Sequence, residues 1–226
     1  MVASLKRTAP CPDSWTQLPR GRHGLSRQFV HDNQRERILR AMTDTVAQQG
    51  YGPVTVADVI KSAGVSRKTF YENFKSKEAC FLTSYDALID GLSQVAIEAY
   101  NAAEDWTDGI RAALGATLAA LSVDSALARV VLVEILAAGP QALERYDQAM
   151  HRILPILELG RGESTHGSEL PPKLAEEILG GVTQTLYLQV LAGGQAHLQD
   201  SLGELLYFTL VPFLGHERAR AAALKA

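Results

Sequence analysis

The sequence predicts an all-α protein of about nine helices, with a small three-helix head at the N-terminal end of a larger helical body. Apolar residues recur at helical spacing through most of the 226 residues. No stretch alternates polar and apolar residues as a strand would, and the helix-forming residues Ala and Leu are plentiful. With 46% hydrophobic residues, the chain can bury a substantial core.

Charge divides the chain into a basic part and an acidic part. Residues 1–78 contain 13 Lys and Arg and 7 Asp and Glu, a net charge of +6. Residues 79–226 contain 9 basic and 18 acidic residues, a net charge of −9. A basic N-terminal part beside an acidic remainder is typical of a DNA-binding head on a body that does not touch DNA.

Residues 1–30 contain several Pro and Gly residues and have no sustained period, so we expect a flexible basic extension. Within it Arg20, Arg22 and Arg27 form a basic cluster. This cluster could be an arm that follows the minor groove or the phosphates of DNA. The alternative is a soluble leader that contacts nothing.

The sequence contains no motif that is typical of several other functional classes. The two cysteines, Cys11 and Cys80, are expected to be free thiols in a reducing cytoplasm. No run of 18 apolar residues predicts a membrane span, and the first residues lack the apolar segment of a signal peptide. The histidines lack metal-ligand spacing, and there is no GxSxG, P-loop or GxGxxG motif. We therefore expect no enzyme, no metal and no cofactor.

The head begins with a helix predicted over residues 32–49, which a Gly- and Pro-containing stretch ends. A second helix is predicted from Thr55, whose side chain can cap it together with Asp58 in a variant capping box. Gly64 follows this helix at the place where a left-handed residue often ends one. Ser66 can then cap a third helix, in which Phe70 and Phe74 share one face.

Two short helices joined by a turn that contains glycine form a helix-turn-helix, whose second helix can enter the DNA major groove. The residues of that second helix suit this use, because Arg and Lys can donate to guanine while Thr, Tyr, Asn and Lys are common phosphate partners. The alternative is a short helical corner with a solvated charged face.

The segment AGVSRKTFYENFKSKEA resembles the recognition helix of TetR/AcrR-type transcriptional regulators, through the pattern G-V-S-x-x-T-F-Y-x-x-F-x-S-K-E. The resemblance extends over about residues 31–90 and divides the chain into an extension at 1–30, a DNA-binding head at 31–78 and an effector-binding and dimerisation body at 79–226. It implies that Arg67, Lys68 and Tyr71 face bases. The remaining residues expected at DNA are Thr55, Ser66, Thr69, Asn73, Lys75 and Lys77.

The body is predicted to contain six further helices and one polar loop. The helices cover residues 77–102, 106–121, 124–138, 140–160, 171–192 and 198–213, and the loop covers 161–170. Pro155 is expected to kink the fourth of these helices. The Gly180–Gly181 pair is either a close helix–helix approach at a subunit contact or a harmless kink. The apolar sides of the last two long helices predict a homodimer.

By resemblance, the body should also hold a pocket for a small apolar or amphipathic effector, of roughly 300 Å³ or more. The candidate lining residues are Tyr85, Trp106, Glu134, Met150 and Tyr187. Glu134 has an alternative role, that of a carboxylate reaching solvent at a helix edge.

Together these features predict a dimeric transcriptional regulator, most often a repressor in families of this type, that binds a palindromic double-stranded operator. The alternatives are an all-helical ligand carrier or enzyme, and a DNA-binding accessory protein that responds to no ligand.

Overall fold

A computed structural model describes residues 26–225, and within that range the secondary structure is helical, with no strand. The all-α prediction is confirmed, and nine of the helices are seven residues long or longer. The helices are α1 Arg27–Gln49, α2 Val56–Ala63, α3 Arg67–Asn73, α4 Lys77–Asn101, α5 Trp106–Val123, α6 Ser125–Leu132, α7 Pro140–His151, α8 Leu154–Glu158, α9 Gly160–Glu163, α10 Leu174–Leu191 and α11 Leu202–Ala223. Short 3-10 turns at Glu134–Ala137, Gly167–Glu169 and Gln195–Ser201 join some of them.

The first helix begins at Arg27 rather than at residue 32, because Ser26 accepts a hydrogen bond from the backbone N–H of Phe29 and so caps it. Of the predicted arm, Arg20 and Arg22 lie outside the described residues. Arg27 is the first residue of α1, and its side chain also lies outside the described part of the chain.

The predicted caps of the head are present in the structure. Thr55 and Asp58 form a reciprocal capping box at the start of α2. Gly64 ends that helix in the left-handed region, with φ 61° and ψ 39°, where a side chain would be disfavoured. Ser66 caps α3 through the Thr69 N–H, and Ser76 caps α4 through the Ala79 N–H.

Helix α4 belongs to both parts of the molecule. Its first turns pack against the head, where Cys80 and Phe81 are fully buried, and the rest of the helix packs along α5. Helix α6 contacts α1, α4, α5 and α10, so it lies between the head and the centre of the body.

The C-terminal half departs from the prediction in three places. Residues 140–160 do not form one kinked helix, because α7 ends at His151 and Pro155 lies in the first turn of α8. The predicted loop at 161–170 contains helical turns, and the Arg161 guanidinium donates to the Leu170 carbonyl at 3.0 Å and to the next two carbonyls. Helix α11 runs on to residue 223, with a local break at Gly215, where φ is 75°.

Between residues 26 and 225 no single helix has the length and apolar character to cross a membrane. One pair of helical segments is together long and apolar enough, but it is bent by 112°; the pair is Trp106–Val123 with Ser125–Ala137. The same residues contain no group of three side chains placed to hold a metal ion. Cys80 is a free, buried thiol, and burial raises its pKa to about 12.

Candidate nucleic-acid interface and effector cavity

Helix α3 separates an apolar side from a polar one. Phe70 and Phe74 are buried against the rest of the head, with ring centroids 6.0 Å apart. Arg67 and Lys68 are exposed to solvent, and Tyr71 is about half exposed, with its ring centroid 5.4 Å from that of Phe70. The aromatic pair fixes how the helix sits, so the three residues predicted to face bases remain accessible at its surface.

The exposed residues of α3 also contact one another. The Arg67 guanidinium lies 5.6 Å from the centre of the Tyr71 ring, within the range of a cation–π contact. The Lys68 ammonium lies 3.7 Å from the Glu72 carboxylate, and both side chains are mostly exposed. Such surface contacts are weak, and a nucleic acid can replace them at little cost.

The residues predicted to contact phosphates differ in how far their side chains are already engaged in hydrogen bonds within the head. Lys75 is exposed. The Thr69 hydroxyl is 2.9 Å from that of Ser66, and the Asn73 amide donates to the Thr69 carbonyl at 2.9 Å. The Thr55 hydroxyl donates to Asp58 at 2.6 Å. These polar residues therefore organise the helix ends, while Lys75 extends into solvent.

The structure gives Lys77 a different role from the predicted phosphate contact. Its ammonium donates to the carbonyls of Tyr51 at 2.8 Å, Val54 at 2.9 Å and Gly52 at 3.4 Å, and lies 4.1 Å from the centre of the Tyr51 ring. The partial burial of this site lowers the pKa of Lys77. Since its donors already have protein partners, Lys77 is a structural residue that ties the turn before α2 to α4.

Two arginines on α1 support the helix-turn-helix from behind. Arg37 donates to the carbonyls of Ala63 and Gly64, which end α2, the latter at 3.1 Å. The Arg35 guanidinium lies 4.6 Å from the centre of the Phe74 ring. Sequence reasoning missed both, because a basic residue carries no local signal of contacts made 26 to 39 residues further along the chain.

The body contains an apolar cavity of about 180 Å³. Its walls come from α4, α5, α6, α7, α8, α10 and α11, and they include Ile89, Leu114, Val131 and Val182. Met150 is the one candidate residue in this lining. The volume is smaller than the roughly 300 Å³ that we expected of an effector site.

The structure places the other candidates outside this lining. Trp106 is buried, its indole N–H donates to the Ile156 carbonyl at 2.8 Å, and its ring packs edge-on against Phe213. Tyr187 is partly buried and packs against the core. Tyr85 is buried, and its hydroxyl has no hydrogen-bond partner within the described residues. Tyr85 and Trp106 therefore belong to the core, and Tyr187 lies at its edge.

The sequence of the head matches a known family. Residues 38–83 match the family model described as bacterial regulatory proteins, tetR family. Over 76 residues the chain is 38% identical to the HTH-type transcriptional regulator EthR of Mycolicibacterium smegmatis. This match covers 34% of this chain and 34% of that protein. The head is a TetR-family helix-turn-helix domain. A 77-residue match to EthR of Mycobacterium tuberculosis, at 35% identity, covers 34% of this chain and 35% of that protein, so the chain matches about one third of the length of these relatives.

Solved structures share the fold of about four fifths of the chain. FadR of Bacillus halodurans, a fatty acid degradation regulator, superimposes with a TM-score of 0.70 at 18% identity, over 81% of this chain and 96% of that one. FadR of Bacillus subtilis, in complex with stearoyl-CoA, gives 0.68 at 20% identity, over 80% and 99%. The ketosteroid regulator KstR2 of Mycobacterium tuberculosis gives 0.56 at 20% identity, over 78% and 92%. The TetR-type head and the helical body therefore occur together in known folds.

A buried carboxylate joins the TetR-type head to the body. Glu134, in the 3-10 turn after α6, accepts hydrogen bonds from the Tyr51 backbone N–H at 2.8 Å and from the Arg129 side chain at 2.9 Å. A Cβ atom on Gly50 would lie 3.5 Å from this carboxylate. Glu134 is buried and is absent from the lining of the 180 Å³ cavity, so it does not reach solvent at a helix edge. The sequence signal was present, since a lone acid in an apolar helix needs a partner, but the partner was not evident.

The last two helices leave apolar side chains exposed. Leu188 and Leu191 on α10 and Phe208 on α11 are each about half exposed. A Cβ atom on Gly181 would come within 2.8 Å of the Phe208 ring of the same chain, whereas one on Gly180 would meet nothing within 4 Å. Gly181 therefore allows a close approach between α10 and α11, and Gly180 lies on the exposed face.

Proposed function

We propose that this chain is a sequence-specific transcriptional regulator that binds double-stranded DNA through its TetR-type head. The observation that carries the proposal is the exposed surface of α3, where Arg67, Lys68 and Tyr71 remain accessible while two phenylalanines anchor the helix in the core. The matched relatives are helix-turn-helix transcriptional regulators, which supports the same role. In this proposal residues 31–78 form the DNA-binding unit, residues 79–226 the regulatory body, and the protein acts in the cytoplasm.

The DNA contacts follow from side-chain chemistry. Arg67 and Lys68 read guanine, since Arg can donate to O6 and N7 together, and Tyr71 lies beside them. Thr69, Asn73 and Lys75 approach the phosphates, and Lys77 is left out because of its carbonyl partners. The N-terminal ends of α2 and α3, at Thr55 and Ser66, add backbone donors. The extension would add Arg20, Arg22 and Arg27 as an arm along the duplex.

The proposed assembly is a homodimer on a palindromic operator. Two recognition helices must reach half-sites that are one turn of DNA apart, about 34–36 Å, and two-fold symmetry supplies that arrangement. The exposed apolar residues of α10 and α11 provide a candidate contact surface. Light scattering should give twice the chain mass of 24.5 kDa. A monomer that binds the palindrome tightly would contradict this assembly.

The proposed effector is a small molecule that binds in the cavity of the body. Its proposed effect is to release the protein, acting as a repressor, from its operator. Structural neighbours are described as regulators of fatty acid degradation and as a ketosteroid regulator, and one holds stearoyl-CoA. The dimer would have one state whose head spacing fits DNA and one whose head spacing does not. A ligand can shift the balance between these two states only by its difference in affinity for them. The competing functions are a ligand carrier without DNA binding and a DNA-binding protein without a ligand.

One experiment separates these functions. Duplexes that the protein binds are selected from a random pool, and fluorescence anisotropy then gives affinities for the selected duplex and its single-base variants at several salt concentrations. We expect a preferred palindrome and a linear fall of log affinity with log salt concentration. Lys173→Ala, an exposed residue far along the chain on the body, is the control that should change nothing. Failure to select any sequence would favour the carrier, and binding that no ligand alters would favour the accessory protein.

A further inference from the structure

We propose that the cavity of the body takes an uncharged apolar molecule of about the size of benzene. The inference rests on the proposed function, because it specifies the effector of that regulator. Three features of the cavity carry it: the chemistry of the walls, the charge balance at the rim and the volume.

The walls offer almost nothing that could bind an ionised group. They consist mainly of aliphatic side chains, and the three threonine hydroxyls that lie among them already have hydrogen-bond partners. Thr117, Thr183 and Thr209 each donate to a carbonyl one turn earlier in their own helix, at 2.8 to 2.9 Å. Moving a charge from water into such a site carries a large desolvation cost that no partner offsets.

The rim of the cavity is electrically balanced. Arg152 is the one charged residue of the lining, and its guanidinium lies 2.6 Å from the Asp90 carboxylate of α4. Beside this pair Arg145 lies 3.2 Å from Asp86, which is also on α4. Two acids on α4 thus lie opposite two bases on or next to α7, so this side of the cavity presents no unpaired charge that would attract an anion or a cation.

One polar atom of a ligand can still be accommodated. The hydroxyls of Ser93 and Tyr146 belong to the lining and make no hydrogen bond within residues 26–225. Each can donate or accept, so a neutral ligand may be a pure hydrocarbon or may carry one hydroxyl or carbonyl group.

The volume limits the size of the ligand. A cavity of roughly 150 Å³ lined by Leu, Ile and Phe in another protein stays dry and binds benzene. The present cavity, at about 180 Å³, is only slightly larger. An acyl chain as long as the one in the stearoyl-CoA complex of the Bacillus subtilis neighbour would require several helices to move apart.

Calorimetric titration of the full-length protein with probes of one shape and different charge tests the inference. Toluene, benzoate and benzylamine are nearly equal in size, and at about pH 7 they are neutral, anionic and cationic. We expect toluene to bind at least about tenfold more tightly than either ion, because only the ions lose hydration without a partner. Stearoyl-CoA is the long-chain probe and should bind more weakly than toluene. Equal binding of either ion, or tighter binding of stearoyl-CoA, would overturn the inference.

Two neighbouring alanines of α5 provide a matched pair of variants. Ala113 lies in the cavity wall and Ala112 does not. Ala113→Leu should weaken toluene binding about tenfold or more by filling the space, whereas Ala112→Leu should leave it unchanged. The melting temperatures of the unliganded variants show that both are folded. Equal affinity of the two variants for toluene would contradict binding in this cavity.

The operator assay separates this inference from the proposed function. If toluene binds with the expected preference but does not change operator binding, the ligand class stands and the effector role fails. If operator binding is intact and none of the probes binds, the inference fails and the DNA-binding role stands.

Discussion

The contact between Glu134 and the backbone of Tyr51 gives the sharpest prediction about how the head and the body are joined. Glu134→Ala removes both acceptor oxygens from a site that is only 5% exposed. The Tyr51 N–H then loses its partner at 2.8 Å, and the Arg129 guanidinium loses its partner at 2.9 Å. The Tyr51 backbone then has no fixed acceptor on the body.

The cost can be worked out from these two contacts. A hydrogen bond to a charged acceptor contributes about 1.5–3 kcal/mol, and a partly buried N–H left without a partner has the same order of penalty. The Arg129 side chain is 37% exposed and can rehydrate, so its ion pair adds less than about 1 kcal/mol. We expect Glu134→Ala to lower the free energy of unfolding by about 2–4 kcal/mol.

Denaturant titration followed by circular dichroism measures this change, and hydrogen exchange at the Tyr51 amide locates it. Glu134→Gln keeps a neutral acceptor and should cost about half as much. Glu144→Ala removes an exposed acid from α7 and is the matched control, with a change within about 0.5 kcal/mol. If Glu134→Ala matched that control in stability and in Tyr51 exchange, the contact would not hold the two parts together.

Four further predictions concern the head. Lys77→Met should lower the free energy of unfolding by about 1–3 kcal/mol, because it leaves carbonyls unpaired. It should leave the salt dependence of DNA binding unchanged, whereas the loss of a phosphate contact would reduce that dependence. Arg67→Ala should cost about 1–3 kcal/mol of binding per half-site and relax the preference at one base pair; an equal loss for every duplex variant would make it a phosphate contact. Thr55→Ala should cost about 1 kcal/mol of stability, measured by denaturation, through loss of the capping box. Since burial raises the pKa of Cys80, unfolding should become easier as pH rises from 9.0 toward about 12, less so in Cys80→Ala, and in a Cys11→Ala variant a thiol reagent should react only with unfolded protein.

The local structure of the head could be predicted from the sequence because its signals are short in range. Thr55, Ser66 and Ser76 each cap a helix through an N–H three residues later, and Gly64 adopts the left-handed conformation that its position requires. In each case the cause and the effect lie within one helical turn. The same holds for the inward-facing pair of phenylalanines on α3.

The roles of Lys77 and Glu134 could not be predicted, because each depends on a distant partner. Lys77 donates to carbonyls 23 to 26 residues earlier in the chain, and Glu134 accepts from an amide 83 residues earlier. Composition shows only that one is basic and the other acidic. The extent of α11 was also underestimated, since the predicted helix ended at residue 213, whereas the helical segment resumes after the break at Gly215 and runs to residue 223.

Both unpredicted contacts act on the same short segment, the turn between α1 and α2. Lys77, at the start of α4, binds the carbonyls of Tyr51, Gly52 and Val54, and Glu134, just after α6, binds the Tyr51 N–H. Helices α4 and α6 also contribute Ile89 and Val131 to the cavity walls. The segment that leads into the recognition unit is therefore attached to the two helices that a ligand would touch. A ligand that binds more tightly when α4 and α6 are displaced has different affinities for the two arrangements of these helices. Such a ligand would shift both attachments at once, as an effector of the proposed regulator would have to do.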